Sequence, residues 1–580
     1  MKTYYTSEKN VQMLIYLMKE HGVKRIVASP GTTNVTFVAS VQQDPFFEIF
    51  SAADERSAAY MACGIAAQTK EPVALTCTGA TASRNYIPAL TEAFYRKLPV
   101  LAITSTQNAA RIGNLQPQVI DRTVIQNDIA VLSVQIPSIN EPEDEWDCNL
   151  KLNRALLALT YRGGGPVHIN LTTKYTKDFT VEKLPEFRVV KRIEKDGVFP
   201  EINSERVGIF VGAHLKWDSE LTKAVDTFCE ANNAVVFCDH TSNYHGKYRV
   251  QFNLVTSQSQ YFSPTRQVDL MIDIGEMSGA YMGVCPKEVW RVNQDGEIRD
   301  TFRKITHIFD MNEIDFFRAY SKTEKRSTDY YNECRSEYIK ILNQLKDLPF
   351  SNAWIAMNTT KKLPKNSILH LGILNSLRNW NFFEIDSSID CYCNTGGFGI
   401  DGIVSSFIGS SIVAKDKLHF LVVGDLAFFY DLNAIANREI GNNIRIILIN
   451  NGCGTEFKNY NHFAAQFGDD ADSFMAARGH YGNQSRDLIR HYSTDLGFKY
   501  LSADSKESFN TVIDEFLDTN YNASPILLEI FTNSNDESDA LKLINNTIEV
   551  EVKHRAVKQA ARSLLGDKGV DKIKKIIRGK

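Results

Sequence analysis

The 580-residue chain is most easily placed by what it lacks. No window approaches 18 consecutive apolar residues, which excludes a transmembrane helix. None of its 10 cysteines forms a Cys-x-x-Cys pair, so zinc ribbons and thioredoxin-like redox chemistry are disfavoured. Their scatter suits reduced, buried thiols and predicts a cytoplasmic protein. There is no Gly-x4-Gly-Lys-Ser/Thr phosphate loop, no Gly-x-Ser-x-Gly elbow, no His-Glu-x-x-His and no adjacent His pair. The 33 glycines and 16 prolines are too few for a collagenous or disordered chain. A net charge of −4 gives no excess of basic residues for a nucleic-acid face. The first 22 residues lack a continuous apolar core and a small-residue cleavage site, and read as an amphipathic helix rather than a signal peptide.

What remains is an alternation of short apolar runs with amphipathic segments. The runs include RIVASPG (25–31), PVALTCTG (72–79), LPVLAITS (98–105), GPVHINLT (165–172), LHFLVVGD (418–425) and NIRIILINN (443–451). Buried strands separated by helices predict parallel sheets covered on both faces, an α/β protein with doubly wound domains. Charged stretches at 176–204 and about 321–350 read as linkers. They divide the chain into 1–180, 190–340 and 350–545, followed by a basic helical tail at 546–580. Within residues 551–580, ten Lys and Arg face three Asp and Glu, a net +7, which leaves −11 on the preceding 550 residues. No internal repeat is evident.

Ligands of parallel sheets bind beyond the carboxyl ends of strands, so residues that end strands are the candidates. In LHFLVVGDLAFFYDLNAIANREIGNNIRIILINNGCGTEF (418–457), one strand ends in Gly424-Asp425 and the next in Asn450-Asn451-Gly452. Asp425 and Asn451 lie 26 residues apart, enough for one strand–helix–strand crossover, so their side chains emerge at one sheet edge. A carboxylate, an amide oxygen and a nearby backbone carbonyl are hard donors suited to Mg²⁺ that also binds phosphate. Asn-Asn occurs four times and Gly-Asp three times, but only this pair has that context. Glu55 begins an Ala-rich helix expected to be wholly buried, where a carboxyl in an apolar cleft could retain a proton. An ordinary acidic residue in a first helical turn reads equally well. Glycine-rich turns follow strands at SPGTTN (29–34), CTGATASRN (77–85) and CNTGGFGIDG (393–402). Of the dispersed histidines, His240 and His245 are best placed to face a cleft.

Together these segments resemble the thiamine-diphosphate-dependent superfamily of 2-oxo-acid decarboxylases and carboligases. Glu55 and the GD–x25–N pair match that superfamily's pairing. VASPGTTN, CNTGGFGIDGIVSS and GDLAFFYDLNAI are most similar to its menaquinone-pathway branch, the 2-succinyl-5-enolpyruvyl-6-hydroxy-3-cyclohexene-1-carboxylate synthases. The likeness covers about residues 8–540 and is weakest in the middle. It implies that Glu55 hydrogen-bonds the aminopyrimidine of thiamine diphosphate. It also implies that Asp425, Asn451 and the Cys453 carbonyl hold Mg²⁺, while Gly31, Asn85, Gly399, Ile400, Gly424, Leu426 and Phe457 line the cofactor. Each cofactor in such enzymes touches two chains, implying a homodimer or tetramer. Thr32, Thr33, Gln118, Thr395 and Glu456 are candidate substrate residues. Thr33 and Thr395 stand where that branch carries arginines, and DIGEMSGAY (273–281) shows no basic pair. Each lost Arg–carboxylate contact removes roughly 1.5–3 kcal/mol, so the resemblance implies retained cofactor chemistry on a 2-oxo acid with a less anionic acceptor. Simple decarboxylation, acetolactate-synthase-like ligation and an inactive cofactor-binding subunit are the alternatives.

Overall fold

The computed structural model describes residues 4–280, 282–321, 327–480, 485–520 and 524–549; past residue 549, the basic tail lies outside the described residues. The chain forms two compact units, one of residues 1–197 with 295–310 and the other of residues 198–294 with 311–580.

The first unit carries β1 (Arg25–Ala28), β2 (Glu48–Ser51), β3 (Val73–Cys77), β4 (Val100–Thr106), β5 (Leu132–Ile136) and β6 (Val167–Thr172). All pair in parallel, in the order β2-β1-β3-β4-β6-β5. β3, β4 and β6 are buried at every position; β3 is accordingly a mostly apolar run, whereas β6 alternates Val167, Ile169 and Leu171 with buried His168, Asn170 and Thr172. Among the helices are α1 (Lys9–Glu20), α2 (Val35–Val41), α3 (Glu55–Thr69), α4 (Thr81–Asn85), α5 (Ile87–Tyr95) and α6 (Pro142–Ala158). α1 and α6 pack Leu14, Leu17, Leu152 and Leu156 on one face of the sheet. α3 and α5 pack Ala58, Ala62, Ala89 and Ala93 on the other. α3 corrects an expectation: its alanines face the sheet, but Tyr60 is 46% and Met61 41% exposed on the opposite side. Small side chains let the helix approach the sheet closely, and nothing in this unit covers its back.

The segment expected as a linker at 176–204 contains β7 (Lys191–Glu194). The second unit begins with β8 (Val207–Val211), β9 (Ala234–Cys238), β10 (Arg249–Gln251), β11 (Gln267–Ile274) and β12 (Cys285–Asn293), parallel in the order β10-β9-β8-β11-β12. β13 (Ile305–Asp310), back in the first unit, pairs in parallel with β7. The last sheet holds β14 (Ile368–Leu371), β15 (Asp390–Tyr392), β16 (His419–Gly424), β17 (Ile444–Asn450), β18 (Lys499–Ala503) and β19 (Ile526–Phe531). Its order, β15-β14-β16-β17-β19-β18, is the winding of the first sheet repeated strand for strand, although the sequence shows no repeat. In both, the order reverses beside the first strand, the position at whose carboxyl edge ligands of such sheets bind.

Glu537, in the helix Ser534–Asn545, fastens one end of the last sheet. Its buried carboxylate accepts from the Asn352 amide at 3.0 and 3.1 Å and from the Thr532 hydroxyl at 2.8 Å. Burial raises its pKa from 4.5 to about 7. A carboxyl whose folded value exceeds its unfolded one takes up a proton on folding, so stability falls as pH climbs from about 4.5 through 7. Chemical denaturation between pH 5 and 8 is expected to show this loss, on the order of 3 kcal/mol in full, and Glu537→Gln to flatten it.

Candidate active site

The carboxyl edge of β16 and β17 is fixed by their register, which sets Gly424 opposite Ile449. Asp425 and the turn after Asn450 therefore leave the sheet side by side. Asp425 is 2% exposed. Its Oδ1 accepts from the Leu426 N–H at 2.8 Å and its Oδ2 from the Gly452 N–H at 2.6 Å, which ties the two strand ends together. Gly452 has φ +75°, a left-handed turn that lets its N–H point back at the carboxylate. The half-buried Asn451 accepts from the Cys453 N–H at 3.4 Å, and the Cys453 carbonyl accepts from the Thr455 hydroxyl at 3.4 Å. Burial pushes the Cys453 thiol pKa up, so its carbonyl is the part suited to a cation. A Cβ added to Gly424 would meet nothing within 4 Å, leaving open space beside Asp425.

Around this edge, Phe457 stacks edge-on against His462 with ring centroids 5.3 Å apart. Gly399 and Ile400 are half-buried in the turn before the helix Ile403–Val413, and Gly396 and Gly397 are exposed there. Thr395 is buried, and a Cβ on Gly279 would lie 3.3 Å from its methyl group. The two places where the resemblance expects basic residues and finds none, Thr395 and the DIGEMSGAY segment, thus meet. Glu456 does not stand as a free anion. Arg378 forms an ion pair with it, and the Asn375 amide donates to its Oε2 at 2.8 Å and accepts from its N–H at 3.0 Å.

In the first unit, Glu55 is the first residue of α3, and Asp54 caps the helix by accepting from the Ser57 N–H at 2.7 Å. Glu55 is half-buried and accepts from the exposed Asn85 amide at 3.5 Å. Gly31 lies against Thr78, too close for any side chain, so the loops after β1 and β3 meet backbone to side chain. Thr32 is exposed beside them, whereas Thr33 is 2% exposed. The Thr33 hydroxyl donates to the Ser105 carbonyl at 3.2 Å, accepts from the Gly79 N–H at 3.2 Å and meets the Thr78 hydroxyl at 2.6 Å. Its chemistry is spent on holding these loops. Gln118 is exposed with φ +61°, its carbonyl 2.8 Å from where a Cβ on Gly79 would sit.

Two partners, His480 and Arg378, carried no sequence signal, and a third, Asp431, lies in the GDLAFFYDLNAI segment without having been singled out. His480 places Nε2 3.2 Å from Asp425 Oδ2, from a stretch with no clear period. Arg378 reaches Glu456 from the helix Asn375–Trp380. Asp431 accepts from the Ser405 N–H and hydroxyl at 2.6 and 2.7 Å, which fastens the helix after the glycine-rich turn. His240 does not face a cleft: it is buried, and its Nε2 meets the Trp380 carbonyl at 2.9 Å. His245 pairs with Asp390 at 3.3 Å.

The described residues contain no group of three or more His, Cys, Asp or Glu side chains able to hold a metal on their own. The Asp425 edge instead offers one carboxylate, one amide oxygen and one carbonyl beside open space. That donor set fits Mg²⁺ sharing its shell with a diphosphate, and fits thiolate-loving metals poorly.

Residues 9–130 match the family model described as thiamine pyrophosphate enzyme, N-terminal TPP binding domain. The chain thus begins with a domain that matches the thiamine-pyrophosphate-binding domain of such enzymes, and two further parallel-sheet domains follow it. It is 29% identical over 558 residues to the 2-succinyl-5-enolpyruvyl-6-hydroxy-3-cyclohexene-1-carboxylate synthase of Bacteroides fragilis, covering 93% of this chain and 98% of that protein. The proteins of that name from Bacteroides thetaiotaomicron and Flavobacterium johnsoniae are 28% and 29% identical over 93% and 92% of this chain, and 98% and 97% of their own lengths.

Thr33→Val keeps the shape but strands the Gly79 N–H and takes one of its donors from the Ser105 carbonyl. It is expected to cost about 1–3 kcal/mol, read as a lowered thermal midpoint.

Proposed function

We propose that the chain decarboxylates a 2-oxo acid and passes the acyl carbanion equivalent to an acceptor, using thiamine diphosphate and Mg²⁺. The observation that carries this reading is the Asp425–Gly452 bond, which presents Asp425, Asn451 and the Cys453 carbonyl at one sheet edge beside an open Gly424. Asp425, Asn451 and that carbonyl would hold the metal, and Gly424 and Leu426 would face the diphosphate. When bound, thiamine diphosphate supplies a carbon acid that adds to the ketone and accepts the electrons left as CO₂ departs. Glu55 would hydrogen-bond the aminopyrimidine, with Asn85 fixing the carboxyl. Gly31, Gly399, Ile400 and Phe457 would complete the cofactor's surroundings.

The half-exposed Glu55, the exposed Asn85 and the bare Tyr60–Met61 face of α3 support a homodimer or tetramer in which a second copy covers this side. In the last domain, Phe463 is 75% and Phe474 97% exposed, a second apolar area in want of cover. Thr32, Gln118 and Thr395 would face substrate. Arg378 neutralises Glu456 and so removes a repulsion that an anionic substrate would meet. The curated relatives are named for making a cyclohexene carboxylate that bears succinyl and enolpyruvyl groups, and a related but less anionic acceptor suits the threonine at 395.

Calorimetric titration with thiamine diphosphate is expected to show Mg²⁺-dependent binding that Asp425→Ala weakens about tenfold or more. Metal-independent binding, or binding that the substitution leaves alone, overturns the assignment. Glu55→Gln is expected to bind cofactor yet slow exchange of its thiazolium proton by about 100-fold or more, followed by proton NMR. Unaltered exchange removes Glu55 from this role.

A further inference from the structure

The stretch that follows the Asp425 edge in the last domain turns its apolar side chains outward. Within residues 459–477, Tyr460, Phe463, Phe467, Phe474 and Met475 are all exposed, Phe463 at 75% and Phe474 at 97%. The same stretch holds three aspartates, Asp469, Asp470 and Asp472, and no Lys or Arg. Lys458 and Arg478, which flank it, pair with Asp472 at 2.6 and 3.0 Å. Lys458 stays 3.9 Å from the fully exposed Asp469, and Asp470 is exposed next to it. The stretch folds back on itself, because the Ala471 carbonyl accepts from the Met475 N–H at 3.1 Å and the Ala476 N–H at 2.8 Å. Large apolar side chains this exposed on one short stretch mark a surface that something covers.

A helix anchored on this stretch leads to the basic tail. The Asn545 amide, at the end of the helix Ser534–Asn545, donates to the Tyr460 hydroxyl at 3.0 Å, and the Ser538 hydroxyl accepts from the Tyr460 N–H at 2.9 Å. Residues 551–580, with their net +7, follow a few positions later. In their sequence Val570, Ile573, Ile576 and Ile577 recur every three or four residues, with Lys572, Lys574, Lys575 and Arg578 among them. That spacing predicts an apolar stripe bordered by Lys572 and Lys574. Residues 550–569 suffice to span about 30 Å at the rise of a helix, and more if extended.

We propose that residues 570–580 dock on the 460–475 face of their own chain. Val570, Ile573, Ile576 and Ile577 cover Phe463, Phe467 and Phe474, and the bordering lysines reach Asp469 and Asp470. Both halves of the match are on one chain: an apolar face edged with carboxylates, and an apolar stripe edged with ammonium groups. The body of a second copy is the poorer occupant, since the first 550 residues sum to −11 and would set acid against acid. A tether anchored at Tyr460 makes the encounter intramolecular, at an effective concentration on the order of millimolar. The covered stretch runs on to His480, whose Nε2 lies 3.2 Å from Asp425 Oδ2, so a docked tail steadies the segment bordering the candidate site.

Hydrogen exchange of the full chain, followed by mass spectrometry, is the test. The double substitution Ile573→Asp with Ile577→Asp, outside every packed sheet, is expected to speed exchange in 460–476 by about tenfold or more and to leave the sheets unchanged. Lys572→Glu with Lys574→Glu is expected to do the same, and adding Asp469→Lys with Asp470→Lys to restore protection. Carbodiimide, which couples a carboxylate to an adjacent amine, is expected to join Asp469 or Asp470 to a lysine beyond 567. Where a copy carrying Asp469→Asn and Asp470→Asn is produced together with one whose lysines after 550 are arginine, only a link between chains can form, and none is expected. Such a link assigns the face to the partner's tail and overturns the proposal. Exchange that ignores the tail substitutions overturns it too, as does a full chain that sediments with phosphatidylglycerol vesicles through its tail while exchange in 460–476 stays as it was.

Discussion

The bond from the Gly452 N–H to the Asp425 carboxylate is the constraint on which the candidate site depends. Two largely apolar, almost wholly buried strands, β16 and β17, run in register into the same edge and stop there. Beyond it the chain has no ladder to follow, and the two turns would separate without a cross-link. A buried carboxylate receiving two backbone N–H groups and facing a histidine holds them at one spacing. That spacing places an amide oxygen and a carbonyl next to the carboxylate, a grouping that no local run of sequence could produce.

Charge is distributed with the same economy. The first 550 residues carry −11, yet the site proposed at the Asp425 edge is one for an anionic diphosphate. The chain places few acidic groups free at that edge: Asp425 is held by N–H donors, and Glu456 is matched by Arg378. In the proposed reading, the remaining positive field would come from backbone N–H groups at a strand–helix turn and from a metal ion, both of which act at short range.

Much of this was legible in the sequence because parallel sheets announce themselves. Their strands are largely apolar runs and candidate residues follow at the strand ends, so the side-by-side placement of Asp425 and Asn451 could be read from spacing and the place of Glu55 at the start of a helix from its context. The partners were not legible. His480 and Arg378 reach the site from segments fixed by tertiary packing, at separations that carry no period. The Ala-rich character of α3 was read as burial all round, when alanine reports only that one face lies close to a sheet. Thr33 looked like a substrate residue because it sits in a glycine-rich turn, but its hydroxyl closes that turn upon itself. The shared winding of the first and last sheets was invisible because topology is conserved by hydrophobic pattern, and pattern is satisfied by many sequences.

That shared winding has a consequence for how such a chain arises. Two domains with one strand order offer the same crevice twice, so a single ancestral frame joined to its own copy would present two blank sockets at once. Divergence then needs only point substitutions at strand ends: a glutamate at the start of one helix, an aspartate and an asparagine on the other copy. The frame is heritable apart from the chemistry, and each socket can be re-specified while the other keeps its hold.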